Sequence, residues 1–408
     1  MKKNSLAVFF SNDQYPRNGD QYFSFRQQSD FFYLTGIEQE KSILLLSPDC
    51  PNKNLREAIF ILHNNPTLEI WEGHKYNFEE VQKISGIKNI YWLEDFDVSL
   101  KEVMSYQNNV YLNSNEYPKF IPEVVTREIR FGREIKNNFP FHKYFRVAPL
   151  LTKQRLVKSN EEIDLIKQAC DITNKALKKV LRVTDPGLWE FELEAEITHE
   201  FIKNRASGHS YAPIIASGKN ACVLHYIENN QKLKKGDLIL MDFGAEYANY
   251  AADLTRTIPV NGKFNKRQRE LYSAVLSVMK EVKKLYVPGS TINDINDAAN
   301  QLMEQQLVKL GLLTKQEVKN QDLSNPAYKR YFMHGTAHFL GLDVHDVGSK
   351  YEVLQPGMIL TCEPGLYINE ENIGIRIEND ILITNNEPID LMSDFPIEIE
   401  EIESLMNE

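Results

Sequence analysis

The sequence is short of several things, and each shortage closes a class of function. No apolar run approaches the roughly 20 residues that a membrane-spanning helix needs, so no membrane partner is expected. The apolar stretch after Met1-Lys-Lys ends at Ser11 and is too short for a signal-peptide core. Only four cysteines occur, Cys50, Cys170, Cys222 and Cys362, and none forms a C-x-x-C pair. A disulfide framework and a thiolate metal site are both unexpected, and a reducing, cytoplasmic compartment suits the chain. Basic residues are outnumbered, with a formal charge of −10, and they are dispersed. Nucleic acid is therefore not an expected partner. The zinc-protease motif H-E-x-x-H is missing too, because His199-Glu200 is followed by Lys203 where the second histidine belongs. Low-complexity segments are absent, and 42% hydrophobic with 25% charged residues is ordinary for a globular protein.

What is present is a pattern that occurs twice. Gly236-Asp-Leu-Ile-Leu-Met-Asp242-Phe-Gly244 is matched by Gly357-Met-Ile-Leu-Thr-Cys-Glu363-Pro-Gly365. Each runs from a glycine through a strand-like apolar segment to a carboxylate and then a second glycine. Each is followed by a further carboxylate, Asp253 in the first copy and Glu378 in the second. Burying four carboxylates without a cation is prohibitively costly, so the duplication points to a metal site.

Hairpin geometry sharpens that expectation. The apolar runs 238–241 and 358–360 read as buried strands. A turn near Tyr247-Ala248 would set Asp242 opposite Asp253, and one near Glu370-Glu371 would set Glu363 opposite Glu378. Directly opposed residues have Cβ atoms about 4.5–5.5 Å apart. Side chains alternate faces at period two, so Gly244 and Gly365 share the faces of Asp242 and Glu363, and the expectation is that they leave room for ions or substrate. Arg376 shares the face of Glu378.

Three histidines fall in one segment, His334-Gly-Thr-Ala-His338-Phe-Leu-Gly-Leu-Asp-Val-His345. Its two glycines argue against a plain helix. One neutral histidine with four carboxylates is a hard, oxygen-rich donor set. It suits Mn²⁺, with Zn²⁺, Co²⁺ and Fe²⁺ as alternatives.

A chain of 408 residues predicts about two domains. The first 150 or so alternate strand-like runs (43–46, 58–62, 110–112) with helical patterns such as 78–84. They read as a small α/β domain, 1–152. Beyond it, amphipathic patterns over 160–181, 189–203, 266–285 and 292–310 place a pair of helices before each carboxylate hairpin. The second domain, 153–408, therefore reads as a duplicated α+β unit wrapped round one site.

These residues carry a family resemblance. Residues from about 153 to 395 resemble the creatinase/methionine aminopeptidase/prolidase superfamily, the pita-bread metallopeptidases of peptidase family M24. The likeness is densest at His225-Tyr226, 236–259, 334–346 and 356–367. Phe25-Arg-Gln-Gln-Ser-Asp-Phe-Phe-Tyr-Leu-Thr-Gly36 and Glu69-Ile-Trp-Glu-Gly73 resemble the aminopeptidase P N-terminal domain. The resemblance implies two divalent metal ions held by Asp242, Asp253, His338, Glu363 and Glu378. It implies Glu363 as the acceptor of the attacking water's proton. His345 would stabilise the oxyanion or the departing proline nitrogen, and His225 would stand on the substrate side. His334, Tyr367 and Arg376 match positions that line the substrate. A homo-oligomer, dimer or tetramer, is also expected.

The N-terminal domain counts against methionine aminopeptidase. Five intact ligand positions count against creatinase and against a non-catalytic peptide-binding module of the fold. Prolidase is the remaining rival. Prolidases place an arginine between the His345 position and the Glu363 strand, where it can clamp a dipeptide carboxylate. Here the stretch 346–360 holds only Lys350 as a cation. The expectation is thus an aminopeptidase acting on peptides with proline second, with prolidase as the alternative.

Overall fold

In the first strand, β1 (Ser5–Phe10), Leu6, Val8 and Phe10 alternate with Ala7 and Phe9, and all five are buried. A strand apolar on both faces needs cover on both. The computed structural model, which describes residues 1–63, 65–121 and 123–408, supplies it. β1 lies inside a six-stranded sheet with β2 (Ile43–Leu46), β3 (Glu57–Ile61), β4 (Asn89–Trp92), β5 (Asn109–Leu112) and β6 (Lys143–Arg146), in the order β4-β3-β2-β1-β5-β6. β1 pairs antiparallel with β2 and parallel with β5. Leu6, Val8 and Phe10 join a core with Phe96, Leu100, Phe131 and Ile135 from the helices Phe96–Tyr106 and Arg127–Asn138. Ala7 and Phe9 join another with Phe31 and Val81 from the helices Ser29–Thr35 and Phe78–Ser85. This unit runs Met1–Thr152, and a second compact unit runs Lys153–Glu408.

The second unit opens with α1 (Asn160–Val183), started by a capping box between Ser159 and Glu162, and α2 (Glu190–Lys203). The strands β7 (Ile214–Ser217), β8 (Leu238–Phe243) and β9 (Leu254–Pro259) follow, with β8 in the middle of an antiparallel sheet. Then the plan repeats. α3 (Lys266–Val282) and α4 (Ile292–Lys309) each start with a capping box, Asn265 with Gln268 and Thr291 with Asp294. The strands β10 (Ile359–Cys362), β11 (Gly365–Ile368), β12 (Ile373–Arg376) and β13 (Asn379–Leu382) complete it. The fold is thus α+β with an internal duplication, preceded by a smaller α/β unit.

The two halves are stitched through buried polar groups. Arg256 is fully buried and donates to the carbonyls of Thr255, Glu378 and Pro396 and to Asn379 Oδ1, so every one of these partners is a neutral oxygen and three of the four belong to the C-terminal half. Among the described residues, no helix is long and apolar enough to cross a membrane.

Candidate metal centre

The first hairpin turns one residue later than the spacing suggested. Glu246 faces Ala251 and Tyr247 faces Tyr250, so the turn is Ala248-Asn249, both in the left-handed region (φ 47° and 67°). That is the backbone of a two-residue hairpin turn. Asp242 accordingly pairs with Thr255, not with Asp253. Asp253 lies two residues before Thr255 and so keeps the same face, diagonal to Asp242. The second hairpin has the expected register. Cys362 faces Asn379 and Gly365 faces Arg376, which sets Glu363 across from Glu378 around a turn at Asn369–Glu371.

Both glycines do something other than vacate space for ions or substrate. A Cβ on Gly244 would lie 1.7 Å from the Ala252 carbonyl oxygen, so the backbone itself fills the position. A Cβ on Gly365 would meet Tyr367 Oη at 2.6 Å and His334 Nε2 at 2.9 Å. Glycine is needed at each because another part of the chain approaches closely.

The carboxylates converge with a histidine. Asp253, His338 and Glu378 each present a ligand atom, all within 4.8 Å of one another. His338 Nε2 lies 3.4 Å from Asp253 Oδ2 and 3.7 Å from Glu363 Oε1. Its Nδ1–H faces the Phe339 carbonyl at 3.1 Å, which leaves the Nε2 lone pair turned toward the carboxylates. The loop carrying His338 is zipped to β10: Thr361 N–H donates to His338 O at 3.0 Å and Glu363 N–H to Thr336 O at 2.9 Å. His345 packs edge-on to His338 with ring centroids 4.4 Å apart.

A second line of contacts backs the first. The Tyr211 hydroxyl lies 2.5 Å from Oδ1 of both Asp242 and Asp253. Arg376 donates to Asp242, to Thr255 Oγ1 at 3.1 Å and to Tyr367 Oη at 3.0 Å. Tyr367 in turn meets His334 Nε2 at 2.8 Å, and His334 Nδ1 meets the Gly335 carbonyl at 2.7 Å. Both nitrogens of His334 are therefore engaged. Burial, the Arg376 charge and nearby His225 push its pKa down to about 3, so it stays neutral. His225 itself is exposed.

This donor set demands positive charge. Burial first, then the neighbouring carboxylates, pushes Glu363 up to about 7 and Glu378 well above the carboxylate range. Burial also raises Asp242, against the pull of Arg376. Burial would lower His338, but Asp253 and Glu363 outweigh it and carry it up to about 9. One tyrosine proton cannot satisfy both aspartates at 2.5 Å. Protons or cations must enter, and oxygen-rich ligands with one imidazole fit a divalent metal.

Three residues escaped the sequence reading. Thr255 donates to Glu378 Oε2 at 2.6 Å, and Asp380 accepts the backbone N–H of Asp253 at 3.1 Å. Period-two spacing from Asp253 and from Glu378 could have found them. Tyr211 comes from a loop, and nothing in its neighbours announces it.

Residues 164–385 match the model of metallopeptidase family M24. The chain belongs to this family. Residues 1–111 match the aminopeptidase P N-terminal domain, so M24 chemistry is here joined to that module. Among M24 relatives, the Xaa-Pro aminopeptidase of Haemophilus influenzae is 39% identical, covering 100% of this chain and 94% of its own. That of Escherichia coli is 36% identical at the same coverage. The structure of zinc-substituted E. coli aminopeptidase P in complex with product superposes with a TM-score of 0.90, at 34% identity over 100% of this chain and 95% of that one.

Proposed function

We propose that this M24 protein is a metal-dependent Xaa-Pro aminopeptidase, releasing the first residue of peptides that carry proline second. The observation that carries the reading is the convergence of Asp253, His338 and Glu378, flanked by Asp242 and Glu363, beside the Arg376–Tyr367–His334 chain. The names of full-length relatives support it.

Asp242, Asp253, His338, Glu363 and Glu378 would hold two divalent ions, Mn²⁺ by preference. Such ions supply Lewis acidity that brings a water's pKa close to neutrality. Glu363 would take a proton from the attacking water and return it to the leaving group. His345 stabilises the developing oxyanion or protonates the proline nitrogen. His334 is neutral and has both nitrogens engaged, so it offers substrate a ring edge and not a proton. With His225, Tyr367 and Arg376 it would line the pocket for the proline ring, which has no N–H to satisfy. A homo-oligomer is part of this reading, supported by Ile70 and Trp71, both more than 80% exposed. So is a cytoplasmic location, which four free cysteines suit.

The deciding experiment compares kcat/KM for Ala-Pro-Ala and Ala-Pro on metal-loaded protein. The tripeptide is expected to win. If the dipeptide wins by about tenfold, or 1.4 kcal/mol, a carboxylate clamp exists and prolidase is the better description.

A further inference from the structure

Glu190 is fully buried at 0% exposure, in the first turn of α2, yet its five hydrogen-bond donors are all neutral. One oxygen accepts from Ser217 N–H and Oγ–H, both at 2.7 Å, and from Asn220 Nδ2 at 3.2 Å. The other accepts from the Tyr226 hydroxyl at 2.8 Å and Gln231 N–H at 2.9 Å. The helix N-terminus favours the negative charge there. A buried carboxylate so fully satisfied is a tether, and what it tethers is informative.

Its donors lie at the end of β7 and along the segment from Gly218 to Gln231, which carries His225. Beyond a turn at Leu224-His225, the described backbone from 224 to 230 belongs to no helix or strand. Side chains hold much of its shape. Asn229 ties its far end to Pro213 O and Ile215 N–H, while Tyr226 ties the residue next to His225 to Glu190. The Tyr226 ring sits in one buried cluster with Ile214, Ala216, Ala221, Leu240 and Tyr367. Tyr367 is the residue whose hydroxyl meets His334.

We propose that Glu190 is a positioning residue: through Tyr226 and Gln231 it fixes the segment that holds His225 beside the Tyr367–His334 side of the site. The proposal rests on the aminopeptidase reading, in which His225 faces substrate. The carboxylate is specifically required because each oxygen takes a backbone N–H, from Ser217 on one side and Gln231 on the other. A glutamine amide, in either orientation, would point its NH₂ at one of those donors.

The test is a double-mutant cycle read as kcat/KM on an Xaa-Pro-Yaa tripeptide, with metal content measured for every variant. Glu190→Gln and Tyr226→Phe should each lower kcat/KM about tenfold or more, since small misplacements of a substrate-side group are costly. Metal content should stay at the wild-type level. In a His225→Ala background both changes should lose their effect, because the group they position is gone. Should Glu190→Gln fail to fold, Tyr226→Phe removes a single hydroxyl, keeps the ring and carries the test. Undiminished effects in the His225→Ala background, or wild-type kcat/KM for Tyr226→Phe, would overturn the tether while leaving the aminopeptidase reading intact. A His225→Ala protein with unchanged kcat/KM would instead remove the role given to His225, and the tether with it.

Discussion

Thr255 and Glu378 are joined twice, once through backbone and once through side chains. Glu378 N–H donates to Thr255 O at 3.1 Å, and Thr255 Oγ1 donates to Glu378 Oε2 at 2.6 Å. They come from opposite copies of the duplicated unit, so this bridge is where the halves meet at the metal centre. Thr255 also accepts from Arg376 Nε at 3.1 Å, which leaves its hydroxyl with a partner on each side.

Thr255→Val keeps the shape and deletes both hydrogen bonds. It should destabilise the protein by about 1–3 kcal/mol, the cost of leaving buried polar partners unsatisfied. It should also weaken metal retention, because Glu378 loses the contact that aims it. Urea unfolding and elemental analysis check the two effects. A variant with unchanged stability and metal content would show that the bridge is incidental.

Metal removal should act on stability as well as on turnover. Chelation should abolish hydrolysis of Xaa-Pro peptides, and Mn²⁺ should restore it. The thermal midpoint should fall, since a ligand at 100-fold over its Kd stabilises a protein by about 2.7 kcal/mol. Asp253→Asn keeps the shape with a poorer ligand and should bind less metal. Full turnover by protein shown to be metal-free would sink the mechanism.

The four carboxylates were legible because two hairpins repeat one spacing, and period-two alternation tolerates an error in the turn. The first turn was misplaced by one residue because Ala248 is a poor marker for a left-handed position; Asn249, the second turn residue, was the usable signal. In the second hairpin the polar run ending at Asn372, itself left-handed at φ 54°, marked the turn correctly. The space left by Gly244 and Gly365 was misjudged because a glycine is equally the mark of close backbone or side-chain approach, and only the fold says which. Tyr211 was invisible for another reason. Its partners Asp242 and Asp253 are distant in sequence, and only tertiary packing brings it to them.

His345→Ala should separate chemistry from metal binding. Its ring packs against His338 but is expected to serve the transition state, so kcat should fall about 10²–10³-fold. Metal content should hold. If the ions are lost instead, His345 belongs among the ligands.

The loop that carries His345 is anchored by its neighbour, and the anchor is pH-sensitive. Asp346 is buried, with Arg155 Nη2 at 2.5 Å and Lys158 Nζ at 2.9 Å. Burial alone would raise its pKa, but the two cations hold it below the ordinary carboxylate range. A depressed folded pKa adds stability that is present above the unfolded value, near 3.9, and lost as pH falls through the folded one. Asp346→Asn should therefore cost about 3–5 kcal/mol near neutrality, because buried Lys158 loses its carboxylate, while Arg155 keeps its contact with Asp343. The gap between wild type and variant should narrow below about pH 4. Urea unfolding at a series of pH values measures it, and a gap that stays constant down to the lowest accessible pH would show that charge is not what the anchor uses.

A free N-terminal amine on the peptide should be required. Asp242 stands at one side of the site against the buried Arg376 guanidinium, and in the aminopeptidase reading the peptide's amine would bind near Asp242 and one of the ions. Acetylation removes both the charge and the basicity of that nitrogen. A charge-assisted hydrogen bond is worth about 1.5–3 kcal/mol, so kcat/KM for acetyl-Ala-Pro-Ala should fall at least about tenfold below that for Ala-Pro-Ala. Ala-Ala-Ala should also be poor, because its second residue brings an N–H that a pocket shaped for the proline ring leaves without a partner. If the acetylated peptide is cleaved as well as the free one, the carboxylates do not read the amine, and an enzyme that cuts within chains becomes the better description.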